Sequence, residues 1–145
     1  MNPNARTILL VEDDASHAEI TRRNLDEFSS DVRELVHLAD GQVALDHLRT
    51  ILDGGGGELP DLILLDLRLP KLDGLEFLAL VKADPRLKRI PVVVLTTSDT
   101  ELDLRRAYDR GANGYLVKPI ELEVFRELTR SFGRYWLQAN RYADA

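Results

Sequence analysis

Five polar side chains stand where the sequence otherwise reads as buried strand. Glu12 and Asp13 follow the apolar run "TILLV" (7–11), Asp66 follows "LILL" (62–65), Thr96 follows "VVVL" (92–95), and Lys118 follows "GYLV" (114–117). Taken singly, each has a bland reading as a turn acid, a loop hydroxyl or a solvated ammonium. Asp66 resists it, because four apolar residues precede it and Leu67 follows, and a carboxylate so placed needs compensation for lost water. Three carboxylates close together repel, and burial raises their pKa values unless a cation intervenes. Mg²⁺ meets that need, since it prefers oxygen ligands, keeps several waters and binds through one or two carboxylates plus a phosphoryl oxygen. Asp13 and Asp66 are the candidate direct ligands and Glu12 a ligand through water, so that Mg²⁺ and Lys118 together cancel three negative charges. Asp66 is then a candidate nucleophile that takes a phosphoryl group as an aspartyl-phosphate. Lys118 and the Thr96 hydroxyl are the groups placed to neutralise the equatorial oxygens.

That chemistry requires the five residues to share one rim. Apolar runs at 7–11, 62–65, 92–95 and 114–117 suit parallel strands covered on both faces, while the more polar, alternating "VRELVHL" (32–38) suits an edge strand. Between them Ala44, Leu48, Ile51 and Leu52 repeat at helical spacing, as do Leu75, Leu78 and Val81, and later Leu122, Phe125, Leu128, Phe132 and Trp136. Five βα units in sequence imply right-handed crossovers and a doubly wound sheet, whose ligands bind beyond the carboxyl ends of the strands. All five polar residues fall at that edge. "SHAE" (16–19) and "SDTE" (98–101) read as capping boxes, Asp40 and Asp73 as helix starts, Gly111 as a helix stop, and Asp14 as a turn or near-cap residue. The tract "DGGGGELP" (53–60) reads as a surface loop and not a phosphate cradle, because it follows a helix and lacks the Lys-Ser/Thr of a P-loop.

Composition narrows the function. At 145 residues and 44% hydrophobic content, the chain has the size and apolar content of one packed domain, 1–145. The 19 basic and 25 acidic residues leave a net charge of -6, which argues against a nucleic-acid or anionic-membrane footprint. There are no cysteines, so disulfides, thiolate metal sites and cysteine nucleophiles are excluded. No apolar run approaches the roughly 20 residues of a membrane span, and a cytoplasmic protein is expected. His17, His37 and His47 are scattered and form no metal-like cluster in the sequence.

With "LLVEDD", "LILLDLRLPKLDG", "VVVLTTS" and "GYLVKP" in this order, residues 6 to 132 closely resemble the receiver domain of two-component response regulators. The resemblance implies an α/β flavodoxin-like (βα)5 fold with strand order 2-1-3-4-5, Mg²⁺ as cofactor and phosphorylation of Asp66 by a sensor histidine kinase. It also implies that the backbone carbonyl of Arg68 completes the metal sphere and that the Lys118-Pro119 peptide is cis, a form prolyl bonds adopt at modest cost. By the same resemblance, Thr96 and Tyr115 are the switch pair. Thr96 moves to the phosphoryl oxygen and Tyr115 swings from exposed to inward, remodelling the surface of the fourth helix, fifth strand and fifth helix. Arg68 and Thr97 flank the path of attacking water and are expected to tune the phosphoryl lifetime. The resemblance places kinase specificity on the first helix, around 17–24, and on the loop at Pro119 and Ile120.

After Phe132 only "GRYWLQANRYADA" remains, which leads us to expect a stand-alone receiver with a helical extension at 133–145. Its aromatic ending and the loop before the third strand are similar to the small regulators paired with bacterial phytochrome kinases, which form homodimers through the last helices and fifth strand. Tyr135 and Trp136 have an alternative role in simply finishing the core. Other classes fit less well. Aspartate-nucleophile phosphohydrolases resemble D-x-D at the nucleophile, and here the second position is Arg68. "VEDDASH" lacks the hydroxyl- and Gly-rich phosphate loop of an FMN module, and the full acidic, Thr and Lys set argues against a degenerate, binding-only receiver.

Overall fold

The computed structural model describes residues 2–143. Five parallel strands, β1 (Arg6–Val11), β2 (Val32–Leu38), β3 (Leu62–Leu65), β4 (Val92–Thr96) and β5 (Gly114–Val117), lie in the order β2-β1-β3-β4-β5. They alternate with helices α1 (Ala15–Asn24), α2 (Gly41–Leu52), α3 (Gly74–Ala83), α4 (Glu101–Asp109) and α5 (Leu122–Gly133). This is the expected flavodoxin-like (βα)5 arrangement.

The strands alternate between two buried faces, as a period of two dictates. Leu9, Val11, Ile63, Leu65, Val92 and Val94 pack with Ala44, Leu48, Phe77, Leu78 and Val81 of α2 and α3 on one side. Ile8, Leu10, Leu62, Leu64, Val93 and Leu95 pack with Ala18 of α1 and Phe125 and Phe132 of α5 on the other. Central β1, β3 and β4 therefore read as unbroken apolar runs. Strand β5 has the same composition but only half-buried or exposed residues, because it closes the sheet at the edge opposite β2.

Side-chain caps fix where several helices start. Asp40 and Asp73 cap α2 and α3 as expected, accepting from the amides of Val43 and Leu75. The two proposed capping boxes are displaced. Asp14, not Ser16, caps α1 by accepting from the Ser16 and His17 amides, and Thr100, not Ser98, caps α4 by accepting from Asp103. Both corrections have one cause: where several capping residues lie within a turn, the loop length from the preceding strand selects among them.

A 3₁₀ segment at Leu25–Asp31, not anticipated from the sequence, follows α1 directly; the helical extension expected after Phe132 is a π-helical turn at Arg134–Ala139 that continues α5 and ends at an extended Asn140. Trp136 and buried Leu137 of that turn pack on the second core face, while Tyr135 stays about half exposed against the edge of the Trp136 ring. No helix among the described residues is long and apolar enough to cross a membrane.

Candidate phosphoryl-transfer site

The carboxyl ends of β1, β3, β4 and β5 bring the sequence-derived residues together. Asp66 follows the last residue of β3, its amide held by the Val11 carbonyl at 3.0 Å, so its side chain emerges from the sheet at 8% exposure. Thr96, with no exposed surface, donates its hydroxyl to Asp66 Oδ1 at 2.9 Å, and the Arg68 amide reaches the same oxygen at 3.2 Å. Lys118 Nζ donates to Asp66 Oδ2 at 3.2 Å and is paired with Glu12 Oε1, both ammonium and glutamate being 2% exposed. Glu12, Asp13 and Asp66 each offer a carboxylate oxygen, all within 4.8 Å of one another, with Asp13 the solvent-exposed member.

The electrostatics of this cluster are those of an incompletely neutralised acid group. Burial, followed by the neighbouring Asp66 carboxylate, pushes Glu12 up from 4.5 to about 7 despite Lys118. Burial also acts to raise Asp66, but hydrogen bonding with Glu12, the Lys118 charge, the Thr96 hydroxyl and the Arg68 amide outweigh it and hold Asp66 below the usual aspartate range. One ammonium among three carboxylates leaves an oxygen-only pocket with excess negative charge, which suits a hard divalent cation.

The loop after Asp66 turns tightly. Gly74 opens α3 with its amide on the Leu67 carbonyl at 3.1 Å, and a Cβ there would stand 2.5 Å from the Asp66 carbonyl oxygen and 2.6 Å from Leu67 Cα. Only glycine allows α3 to start this close beneath the carboxylate.

Other placements differ from expectation or add to it. No cis peptide occurs among the described residues, so the Lys118-Pro119 bond is trans; this is the intrinsically favoured prolyl isomer, by ~0.5–1 kcal/mol, and Lys118 still reaches the cluster with its amide on the Thr96 carbonyl at 2.7 Å. Tyr115 is half-buried, and its hydroxyl donates to the Ser98 carbonyl at 2.9 Å, an inward contact to the β4-α4 loop. Thr97 is exposed beside Thr96. His17, scattered in the sequence, sits at the rim, where Lys118 Nζ donates to its Nδ1 at 3.1 Å; His37 contacts the Glu12 carbonyl through Nε2 at 2.7 Å. The i, i+3 step from Asp14 to His17 was the available signal for the former, since it returns to the helix face nearest the strand end.

A sheet in this order, carrying acids after β1 and β3, a hydroxyl at the end of β4 and an ammonium after β5, defines a receiver module. The family model of the response regulator receiver domain matches residues 8–130, and the chain belongs to that family. Receiver domains are signalling switches, not classical enzymes. Among curated relatives, the probable methanogenesis regulatory protein FilR2 of Methanothrix harundinacea is 48% identical over 134 residues, covering 92% of this chain and 85% of FilR2. Response regulator Rcp1 of Synechocystis sp. is 41% identical over 133 residues, covering 92% of this chain and 90% of Rcp1. The Mn²⁺-bound structure of Rcp1 superimposes with a TM-score of 0.88 over 96% of this chain and 99% of that one, at 39% identity. The phosphorylated cyanobacterial phytochrome response regulator RcpA gives 0.87 over 97% and 99%, at 37% identity.

Proposed function

We propose that this protein is a single receiver domain, core 6–132 and extension 133–145, that accepts a phosphoryl group on Asp66 from a sensor histidine kinase of the bacteriophytochrome type. The observation that carries the reading is the shared hold on Asp66, Thr96 on one carboxylate oxygen and Lys118 on the other. In the transfer, a carboxylate oxygen of Asp66 forms a bond to phosphorus as the bond from phosphorus to the donor breaks. The donor atom leaves with the electron pair of the broken bond. Lys118 and the Thr96 hydroxyl then bear on the phosphoryl oxygens, and Thr96 with Tyr115 carries the change to α4, β5 and α5. Hydrolysis of the acyl phosphate returns Asp66, with Arg68 and Thr97 setting its rate.

Mg²⁺ is the proposed cofactor, held by Asp13 and Asp66 directly, by Glu12 through water and by the Arg68 carbonyl. Bound there, it would supply positive charge to the phosphoryl oxygens. The Mn²⁺ in Rcp1 and the clustering of Glu12, Asp13 and Asp66 support this assignment. The likeness to the phytochrome response regulator RcpA supports the phytochrome pairing, and with that pairing we propose a cytoplasmic setting. We place the partner-binding surface on α4, β5 and α5, where Leu102, Val117, Ile120, Leu122, Val124 and Tyr135 are exposed, and a homodimer is the proposed occupant.

The test is intact mass after incubation with acetyl phosphate, in Mg²⁺ or in EDTA, on wild type and Asp66→Ala. A Mg²⁺-dependent gain of one phosphoryl group, absent from the variant, is the expected result. No gain with acetyl phosphate or with a phosphorylated phytochrome-type kinase would overturn the reading.

A further inference from the structure

Beyond the Asp66 cluster lies a second polar chain. Arg68 Nη2 donates to Asp103 Oδ2 at 2.8 Å, and Ser98 Oγ donates to the same oxygen at 2.5 Å. The Asp103 amide is in turn capped by Thr100 Oγ1 at 3.2 Å, and the Ser98 carbonyl receives the Tyr115 hydroxyl. Asp103 therefore ties the first turn of α4 to Arg68, the residue whose own amide touches Asp66 Oδ1. Exposure is unequal across the pair: the Arg68 side chain is 67% exposed and that of Asp103 only 11%.

This asymmetry decides what moves. An exposed arginine in a single ion pair is weakly held, whereas a buried carboxylate stripped of its cation is costly. Phosphorylation replaces the single negative charge of Asp66 with an acyl phosphate carrying up to two, and offers three strong acceptor oxygens. Guanidinium groups match phosphoryl oxygens with paired, charge-assisted hydrogen bonds.

We propose that Asp103 is a positioning residue for Arg68, holding the guanidinium away from Asp66 in the unphosphorylated protein, and that transfer of Arg68 to the phosphoryl group releases the first turn of α4. The inference rests on the reading of Asp66 as phosphoacceptor. It gives Arg68 two alternative partners and makes the start of α4 the element whose equilibrium both partners bias. Once Arg68 has moved, the Asp103 carboxylate keeps the Ser98 hydroxyl as its hydrogen-bond partner among the described residues, and the Ser98 carbonyl links the loss to Tyr115. In Asp103→Asn the guanidinium is free before phosphorylation, so it sits on the phosphoryl group as soon as one is present and shields it from water.

Two readouts test this on the full chain: hydrogen exchange of a peptide spanning residues 98–106, and the dephosphorylation rate after removal of acetyl phosphate. Exchange at 98–106 is expected to rise in wild type on phosphorylation, to be already high in unphosphorylated Asp103→Asn and Arg68→Ala, and to rise little further in either. Asp103→Asn is expected to lengthen the phosphoryl lifetime by about threefold or more, an effect that vanishes in the Arg68→Ala background, the signature of coupled residues. Asp103→Glu, which keeps the charge, is expected to restore the wild-type lifetime. Arg68→Ala is the second variant because its exposed side chain can be lost without disturbing the core. Full phosphorylation of Asp66 with unchanged exchange, or with additive lifetimes in the double variant, overturns this inference alone. Absence of phosphoryl on wild-type Asp66 overturns the reading beneath it.

Discussion

Thr96 and Asp66 share a hydrogen bond of 2.9 Å between two side chains that water barely reaches. It helps hold the Asp66 carboxyl below its ordinary pKa and fixes the face it presents. Replacing Thr96 by Ala removes a donor to a charged acceptor, an interaction worth ~1.5–3 kcal/mol. Phosphorylation of Thr96→Ala by acetyl phosphate should be about tenfold slower or more, and the exchange response at α4 should be lost even when the mass shift reaches completion. A normal α4 response in the phosphorylated variant would remove Thr96 from the switch.

Divalent ions should stabilise the fold. A ligand that binds only the native state adds about 2.7 kcal/mol at a hundredfold excess over its Kd, so the midpoint of thermal unfolding should rise with Mg²⁺. Asp13→Asn should blunt that rise while leaving the metal-free midpoint nearly unchanged, because Asp13 is exposed and outside the core. Equal Mg²⁺ responses in wild type and variant would place the ion elsewhere.

Gly74→Ala sets two effects against each other. Alanine is the better helix former by ~1 kcal/mol, but its Cβ would lie 2.5 Å from the Asp66 carbonyl oxygen, a backbone atom with little room to yield. Overpacking of this kind costs ~1–3 kcal/mol and should win. Urea denaturation should show a net loss of stability together with slower phosphorylation; a stabilised variant would mean that the β3-α3 loop relaxes freely.

Tyr142 gives a pH dependence remote from the cluster. Burial pushes its hydroxyl up from 10.0 to about 12, and the group donates to the Trp136 carbonyl at 2.7 Å. The unfolded chain loses this proton near pH 10 while the folded chain keeps it, so the contribution is whole below 10 and is lost as pH climbs toward 12. Tyrosinate absorbance of the four tyrosines should show late ionisation, to which the burial of Tyr115 also contributes, and Tyr142→Phe should remove the latest fraction and flatten the alkaline fall in stability.

Ile120 is fully exposed, so Ile120→Glu should leave unfolding within about 0.5 kcal/mol of wild type. If α4, β5 and α5 form the homodimer surface, the same variant should be monomeric at concentrations where wild type sediments as a dimer. Identical sedimentation of the two would move the partner surface off this face.

The strands and the Asp66 cluster were legible because burial on both faces writes itself as unbroken apolar runs, and a charge ending such a run has few structural explanations. Strand β5 illustrates the limit: "GYLV" reads like a covered strand, yet its place at the sheet edge is a property of topology that composition does not carry. Asp103 was hidden for a different reason. An acid in the first turn of a helix is already accounted for by the helix dipole, so nothing in the sequence asks for its arginine partner. The starts of α1 and α4 were misplaced by two residues because Asp14 and Ser16, like Ser98 and Thr100, have equal chemical claims to the cap. His17 reached the rim through helical geometry that only the exact start of α1 determines.

The aromatic closure at the far end of the sheet has a practical corollary. Arg6, which opens β1, lies 4.1 Å over the Tyr142 ring, and Tyr142 is bonded to Trp136, so the last segment is pinned near the strands' amino ends while the chemistry occupies their carboxyl ends. The molecule's single tryptophan is therefore a gauge of whether the continuation of α5 is docked on the sheet. A fluorophore or surface tether joined next to Tyr142 would lie at the end of the sheet opposite the Asp66 cluster, leaving the entrance to that cluster unencumbered.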